Sequence, residues 1–241
     1  MSDSNRHGER LARWAESGHK SPPPTPAATV VLLRDGSSGL ETLMLRRNSK
    51  IAFGGMWVFP GGRVDAADRV EDDEIASARR AAVRESAEEA GLSVDEAGLV
   101  TFSHWTPPSV APRRFLTWFF LARAPEREVA IDGGEIHEHA WMRPTEALER
   151  RDAGQIELAA PTFVTLHALA RSEDVDGALD RARTREPEHF ATAVSRVEGG
   201  AVALWHGDAG YADRDAERPG PRHRLWMLAD GWRYERDSGG Q

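Results

Sequence analysis

The chain has 241 residues, 40% hydrophobic and 29% charged, enough for one sizeable globular domain or a domain with an appendage. It contains no cysteine, which excludes disulfide frameworks, thiolate nucleophiles and Cys-ligated metal centres. Its net charge of −8 lacks the basic footprint of generic nucleic-acid binding.

Residues 1–26 are polar and end in Ser21-Pro22-Pro23-Pro24-Thr25-Pro26, so they are expected to form a mobile, Pro-rich N-terminal arm, with a short helix over Glu9–Glu16 as the alternative. Met1–Arg10 lacks the apolar core of a signal peptide, and the longest apolar runs, near Val30–Leu33 and Leu116–Leu121, are strand-sized. A cytoplasmic protein with no membrane partner is the expectation. Ala28–Leu33 reads as the first strand and Glu41–Arg47 as its hairpin partner. A Gly-rich segment, Phe53–Gly62, precedes an alanine-rich helix over 73–90 that Gly91 closes. Val100–Trp105, Phe115–Ala122 and Ile136–Met142 are further strands; Pro144 and Pro161-Thr162 open two helices. Elements of both kinds alternate without a dinucleotide-binding Gly fingerprint, which points to a mixed α/β layer fold. From Arg171 the character changes to charged helical sequence and two strand signals, Ala201–His206 and Arg224–Leu228. The chain is thus expected to divide into residues 1–26, a domain over 27–171 and an extension over 172–241. Apolar strands in that extension need cover, from the domain or from a second copy of the chain in a homodimer.

The chemistry concentrates in Arg84-Glu85-Ser86-Ala87-Glu88-Glu89-Ala90-Gly91-Leu92. On a helix Glu85, Glu88 and Glu89 share an arc about 100° wide, with Arg84 one turn before Glu88, while Ile75, Ala82, Val83, Ser86 and Ala90 face another side. Each like-charged helical pair costs about a few tenths of a kcal/mol. A hard divalent cation would reverse that sign, because Mg²⁺ and Mn²⁺ prefer carboxylate oxygen. An isolated acidic triplet is usually a solvated face; the preceding Trp57-Val58-Phe59-Pro60-Gly61-Gly62, whose glycines permit close backbone approach, changes the weighing.

These residues resemble the Nudix hydrolases, whose pattern is G-x5-E-x7-R-E-U-x-E-E-x-G-U, with U a bulky aliphatic. Arg84–Leu92 looks like its second half and Phe59–Gly62 like its entry. The resemblance implies an α/β/α sandwich with a mixed sheet, here with a small strand-containing C-terminal extension, and Mg²⁺- or Mn²⁺-dependent hydrolysis of a nucleoside-linked diphosphate. It implies Glu85 and Glu89 as principal metal ligands, with Glu88 assisting and the Gly61 carbonyl completing the site. Water attack on phosphorus needs a proton acceptor; Glu135 and Glu138 are the candidates, and each reads equally well as a strand-edge carboxylate. Two departures stand out. Arg84 follows Gly62 by 22 positions where the pattern has 14, an insertion of eight. Counted back from Arg84, the first box Glu falls at Ala76, so that carboxylate is missing unless Glu74 supplies it; Asp65–Glu74 reads as a solvated acidic loop. Ser86 also stands where the pattern has an aliphatic residue.

Trp105-Thr106-Pro107-Pro108, Pro112-Arg113-Arg114-Phe115, Trp118-Phe119-Phe120 and Pro161-Thr162 extend the resemblance, over roughly residues 27–170, to the branch containing the peroxisomal coenzyme A diphosphatases. Arg46, Arg47 and Gly55 match that branch's upstream stretch only in part, and the peroxisomal C-terminal tripeptide is missing. Coenzyme A or acyl-coenzyme A is therefore the leading substrate. ADP-ribose or a dinucleotide is the alternative, and a noncatalytic nucleotide-binding regulator is the different class. Arg46, Arg47, Arg113 and Arg114 are candidate phosphate contacts, weighed against surface ion pairs. Trp57, Trp105 and Trp118 could stack an adenine, with core packing favoured for at least two. His137 and His139 read as surface residues, and the tail's His206, Asp208, Arg222 and His223 are left out of the site.

Overall fold

The first strand, β1 (Thr25–Gly36), is buried on both faces. Ala28, Val30 and Leu32 enter one apolar cluster and Val31 and Leu33 the other, so one strand serves two cores through its two-residue period. The computed structural model describes residues 6–16, 22–48, 55–109, 111, 113–131 and 133–237. Within them β2 (Gly39–Arg47), β3 (Trp57–Val58), β4 (Gly61–Arg63), β5 (Val100–Thr106), β6 (Phe115–Arg123), β7 (Ile136–Met142) and β8 (Glu188–Ala191) complete an eight-stranded sheet A with β1. Its main path runs β3-β2-β1-β6-β5-β8, with β4 paired to β1 and β7 to β2. The β1–β6 and β5–β8 pairs are parallel and the others antiparallel, giving the mixed sheet.

One helix, α2 (Glu74–Ala90), covers the Val30 face. Asp73 caps it by accepting the Ala76 N–H, and Gly91 ends it at φ 67°. The Gly91 and Leu92 N–H groups return to the Ala87 and Ser86 carbonyls, a closure that requires the left-handed conformation glycine adopts at little cost. Ser86 is buried and its hydroxyl donates to the Leu92 carbonyl at 2.7 Å, so the departure from an aliphatic residue pins the helix end to the chain that follows. The buried arc includes Ala78, Ala81, Ala82, Ser86, Ala90 and Glu89. It differs from expectation at two places. Glu89 sits within the packing arc and not beside it, whereas Ile75, which shares that arc by rotation, is 37% exposed in the helix's first turn.

The opposite face of sheet A carries α3 (Pro144–Asp152), α4 (Ala160–Leu169) and α5 (Val175–Arg183). A second antiparallel sheet B follows, of β9 (Ala193–Val197), β10 (Gly200–Leu204), β11 (His223–Leu228) and β12 (Gly231–Arg236), in the order β12-β11-β10-β9. The boundary expected at 171–172 does not divide the core. Strand β8 lies beyond it, yet pairs with β5 of sheet A; Phe190 stacks on Trp105 at 4.0 Å, and Trp205 meets both rings edge-on at 5.7 and 5.4 Å. The tail strands thus find their cover in their own chain. The expected N-terminal arm also differs: α1 (Arg6–Glu16) packs on β9 and β10, with Leu11 in the core and His7 buried 5.9 Å from the Trp232 ring. The surface that orders it comes from more than 170 positions downstream, which a local reading of a polar segment does not weigh. Among the described residues no helix is long and apolar enough to cross a membrane.

A candidate metal and active site on the second helix

Strand β4 brings the Gly-rich turn under α2: Gly61 pairs with Thr29 and Gly62 with Ala28, while the Val30 N–H reaches the Pro60 carbonyl at 2.9 Å. A Cβ on Gly62 would collide with the Glu85 carboxylate. The Gly61 N–H donates to Glu89 Oε2 at 2.9 Å. The strand turn is therefore bonded to the helix through Glu89 and packed against Glu85, the two carboxylates that the sequence marked as metal ligands.

Arg84 is the hub. Its Nη1 donates to Glu85 Oε1 at 2.8 Å and to Glu88 Oε2 at 2.9 Å, and its Nη2 to Asp68 Oδ2 and the Arg63 carbonyl, each at 2.9 Å. Asp68, in a 3-10 turn over Ala66–Asp68, is 5% exposed and also accepts the Asp65 N–H at 2.9 Å. Burial alone would raise its pKa, but the Arg84 guanidinium and that N–H together hold it below the usual carboxylate range. The acidic segment is thus not wholly a solvated loop, and the box carboxylate is not at Ala76. Counted forward from Gly62, Asp68 stands at the first box acidic position, and the eight added residues lie between it and Arg84. Counting forward from the glycine was the signal that could have found it. Glu74 does not substitute: it accepts Trp118 Nε1–H at 3.1 Å, about 16 Å along the helix from Glu85. The cleft of about 670 Å³ beside it is lined by Glu71, Asp72, Asp73 and Glu74 with Arg69 and Trp118, a wall in which acidic groups outnumber the one arginine.

The field at the ligand candidates is negative. Burial raises the Glu85 pKa, with Glu88 and Asp65 adding to it and Arg84 opposing. Glu89, 5% exposed, is pushed up to about 7, first by burial and then by Glu85 and Glu135, against the Gly61 N–H and Arg47. Among the described residues no three His, Asp or Glu side chains converge as a ready-made ligand group, since Glu85 is turned to Arg84 and Glu89 to Gly61. The donor chemistry nevertheless fits a hard divalent cation: two carboxylates one helical turn apart, burdened by burial and mutual repulsion that a cation would relieve.

Strand alternation sorts the remaining candidates. Leu43 and Leu45 face α2, so Arg47 does too; Arg47 Nη2 bonds Glu135 Oε2 at 2.8 Å, and both act on Glu89. Arg46 has the parity of Met44, on the opposite face, where its Nη1 holds Glu138 Oε2 at 3.1 Å. Glu138 and Arg46 are therefore a cross-strand ion pair away from the carboxylates of α2, and Glu135 and Arg47 remain beside them. Arg113 and Arg114 stand on the approach to β6, where Arg114 Nη2 reaches the Pro107 carbonyl at 3.5 Å, and neither is among the groups that set the field at Glu85 or Glu89. Pro112 lies outside the described residues, as do 49–54 of the Gly-rich stretch. Trp57, Trp105 and Trp118 are all buried, the last stacked on His104 at 4.3 Å, so all three are core residues.

A mixed sheet bearing this arginine-centred carboxylate helix defines the class: the chain belongs to the NUDIX domain family, whose model matches residues 23–161. The chain is similar to a Caenorhabditis elegans protein described as putative nudix hydrolase 7, at 30% identity over 174 residues, or 56% of this chain and 58% of that protein. It thus spans a little over half the length of that relative. Its structure resembles that of a NUDIX hydrolase from Alicyclobacillus acidocaldarius with a TM-score of 0.59 and 25% identity, over 66% of this chain and 96% of that one.

Proposed function

We propose that this protein is a divalent-metal-dependent diphosphatase that cleaves the P–O–P bridge of a nucleoside diphosphate derivative, with coenzyme A or acyl-coenzyme A as the leading substrate. The observation that carries this reading is the coupling of the Arg84 hub to the Gly61–Gly62 turn, because it gathers more carboxylates at one site than a single guanidinium neutralises. Glu85 and Glu89 would hold Mg²⁺ or Mn²⁺, with Glu88 and the Gly61 carbonyl assisting. When bound, the cation supplies neutralisation of phosphate charge and a more acidic water. Arg84 keeps Glu85 and Glu88 oriented while Asp68 fixes Arg84 from the other side. Glu135 is the proton acceptor, positioned by Arg47, whose guanidinium also counters the charge near Glu89. The sequence likeness over residues 27–170 to the coenzyme A branch supports that substrate.

The test is a substrate panel with Mg²⁺ or Mn²⁺ and products identified by mass. Coenzyme A should give 3′,5′-ADP and 4′-phosphopantetheine. Thioester cleavage with the diphosphate intact would refute the chemistry. Turnover of ADP-ribose or a dinucleotide, but not coenzyme A, would move the substrate within the same chemistry. No metal-dependent turnover on any member would leave the nucleotide-binding regulator.

A further inference from the structure

On the face of sheet A opposite α2, the seam between α4, α5, β5, β8 and β12 encloses a cavity of about 120 Å³. Its floor is apolar, built from Trp105, Leu121, Val164, Ala178, Ala182 and Phe190. Its rim is cationic. Arg171, Arg181, Arg185 and Arg236 line it against Glu186 and Glu188. Arg236 is neutralised by Glu188 at 2.7 Å, whereas Arg171, Arg181 and Arg185 form no ion pair among the described residues; Arg181 Nη2 donates to the Arg171 carbonyl at 3.1 Å. A polar group is also left over inside: Thr165 is 1% exposed, lines the cavity, and its hydroxyl finds no hydrogen-bond partner among the described residues. Buried hydroxyls are normally bonded, and a ligand acceptor would offset the desolvation of this one.

We infer that this cavity binds a small organic anion whose ring-sized apolar body lies on Trp105 and Phe190 and whose carboxylate or phosphate meets the rim arginines. The size limits the body: at about 120 Å³ the cavity is somewhat smaller than an apolar cavity of about 150 Å³ that accepts benzene, so a single ring is the largest body it takes. The charge selects the head group, since three arginines without acidic partners at one mouth favour an anion with forked acceptors. His167 adds no positive charge, because burial first, and then Arg171, push its pKa down; its ring lies edge-on to Tyr234 at 5.1 Å. None of the carboxylates around Arg84 lines this cavity, so occupancy here and metal binding on α2 are separate events.

The experiment titrates the full chain, in metal-free buffer, with benzoate, phenyl phosphate, inorganic phosphate and benzyl alcohol by ligand-observed NMR and calorimetry. Benzoate or phenyl phosphate should bind saturably with a millimolar or tighter Kd, and which of the two is tighter identifies the head group. The exposed double variant Arg181→Glu, Arg185→Glu should weaken that binding by about tenfold or more. Ala182→Leu, which fills the floor, should abolish it; if that variant fails to fold, the exposed pair decides alone. Absence of saturable binding, binding unchanged in the charge variant, or equal binding of inorganic phosphate or benzyl alcohol would each overturn the inference.

Discussion

Two arginines organise this molecule, and they differ in how their charge is balanced. Arg224 in β11 is fully buried with Asp208 as its counter-charge: Nε and Nη2 donate to the carboxylate at 2.7 and 2.6 Å, and Nη1 bonds the Ala216 carbonyl. Asp208 also accepts the His223 and Gly210 N–H groups at 2.9 and 2.8 Å. One cation meets one anion, and nothing is left over. Arg84 in α2 is partly exposed and holds three carboxylates, Asp68, Glu85 and Glu88, with Asp65 at 3.9 Å and Glu89 a turn away. The first arrangement holds a sheet together. The second keeps a surplus of negative charge where the family pattern expects a metal, and that surplus is what separates a candidate site from a structural ion pair.

The largest effect expected from this contrast is in the balanced pair. Asp208→Asn strands a buried guanidinium, at a cost of about 3–5 kcal/mol in urea denaturation. Adding Arg224→Met should recover much of the loss, because an apolar replacement removes the unpaired charge. If the single variant unfolds at the wild-type midpoint, Asp208 is not the counter-charge that sheet B depends on.

At the surplus site the same kind of change should act in the opposite direction on stability. Glu85→Gln and Glu89→Gln each relieve repulsion, so the metal-free protein should be no less stable than wild type, while turnover falls more than about tenfold, or roughly 1.4 kcal/mol of barrier. Wild-type rates in both variants on every accepted substrate would remove the proposed metal face. A smaller effect is expected one step out. Asp68→Asn weakens the grip on Arg84 and should lower turnover about several-fold, whereas Asp68→Glu, which installs the residue of the family pattern, should preserve it. Equal loss in both variants would mean that the shape of the turn, and not its charge, matters.

What could be read beforehand follows from where the determining contacts lie. Strand β7 was legible to its end residues, and α2 from its alanines to Gly91, because their signals are local. Strands β8 (EHFA), β9 (AVSRV) and β12 (GWRYER) were not: their short or charged sequences alternate weakly, and it is partners such as Trp105 and Leu225 that make them strands. Glu85, Glu88 and Glu89 were visible as a triplet, yet the burial of Glu89 needed the sheet beneath it. The pairing of Arg46 with Glu138 and of Arg47 with Glu135 needed the β2–β7 register, including the shift between Arg46 and Arg47.

A third cluster inverts the charge of the Arg84 site, and its effect is the most local of the three. His7 of α1 is buried beside Arg10 and Arg151, and Arg10 Nη2 donates to its Nδ1 at 3.0 Å, a bond that requires an unprotonated nitrogen. Burial first, then the two arginines, lower its pKa from 6.5 to about 3. In the unfolded chain the imidazole protonates near pH 6.5; in the folded chain it resists until about pH 3. Between those values the unfolded state binds the extra proton, so this contribution to stability is complete above pH 6.5 and declines as pH falls toward 3, by at most about 1.4 kcal/mol per pH unit. The strain can be released locally, by α1 leaving sheet B. Amide exchange across Arg6–Glu16 should therefore quicken between pH 6.5 and 5, after correction for intrinsic rates, before protection of β1 changes. His7→Leu should flatten that pH response while keeping Leu11 and α1 in place. A variant whose α1 protection falls with pH in parallel with wild type would show that the helix is released by some other group.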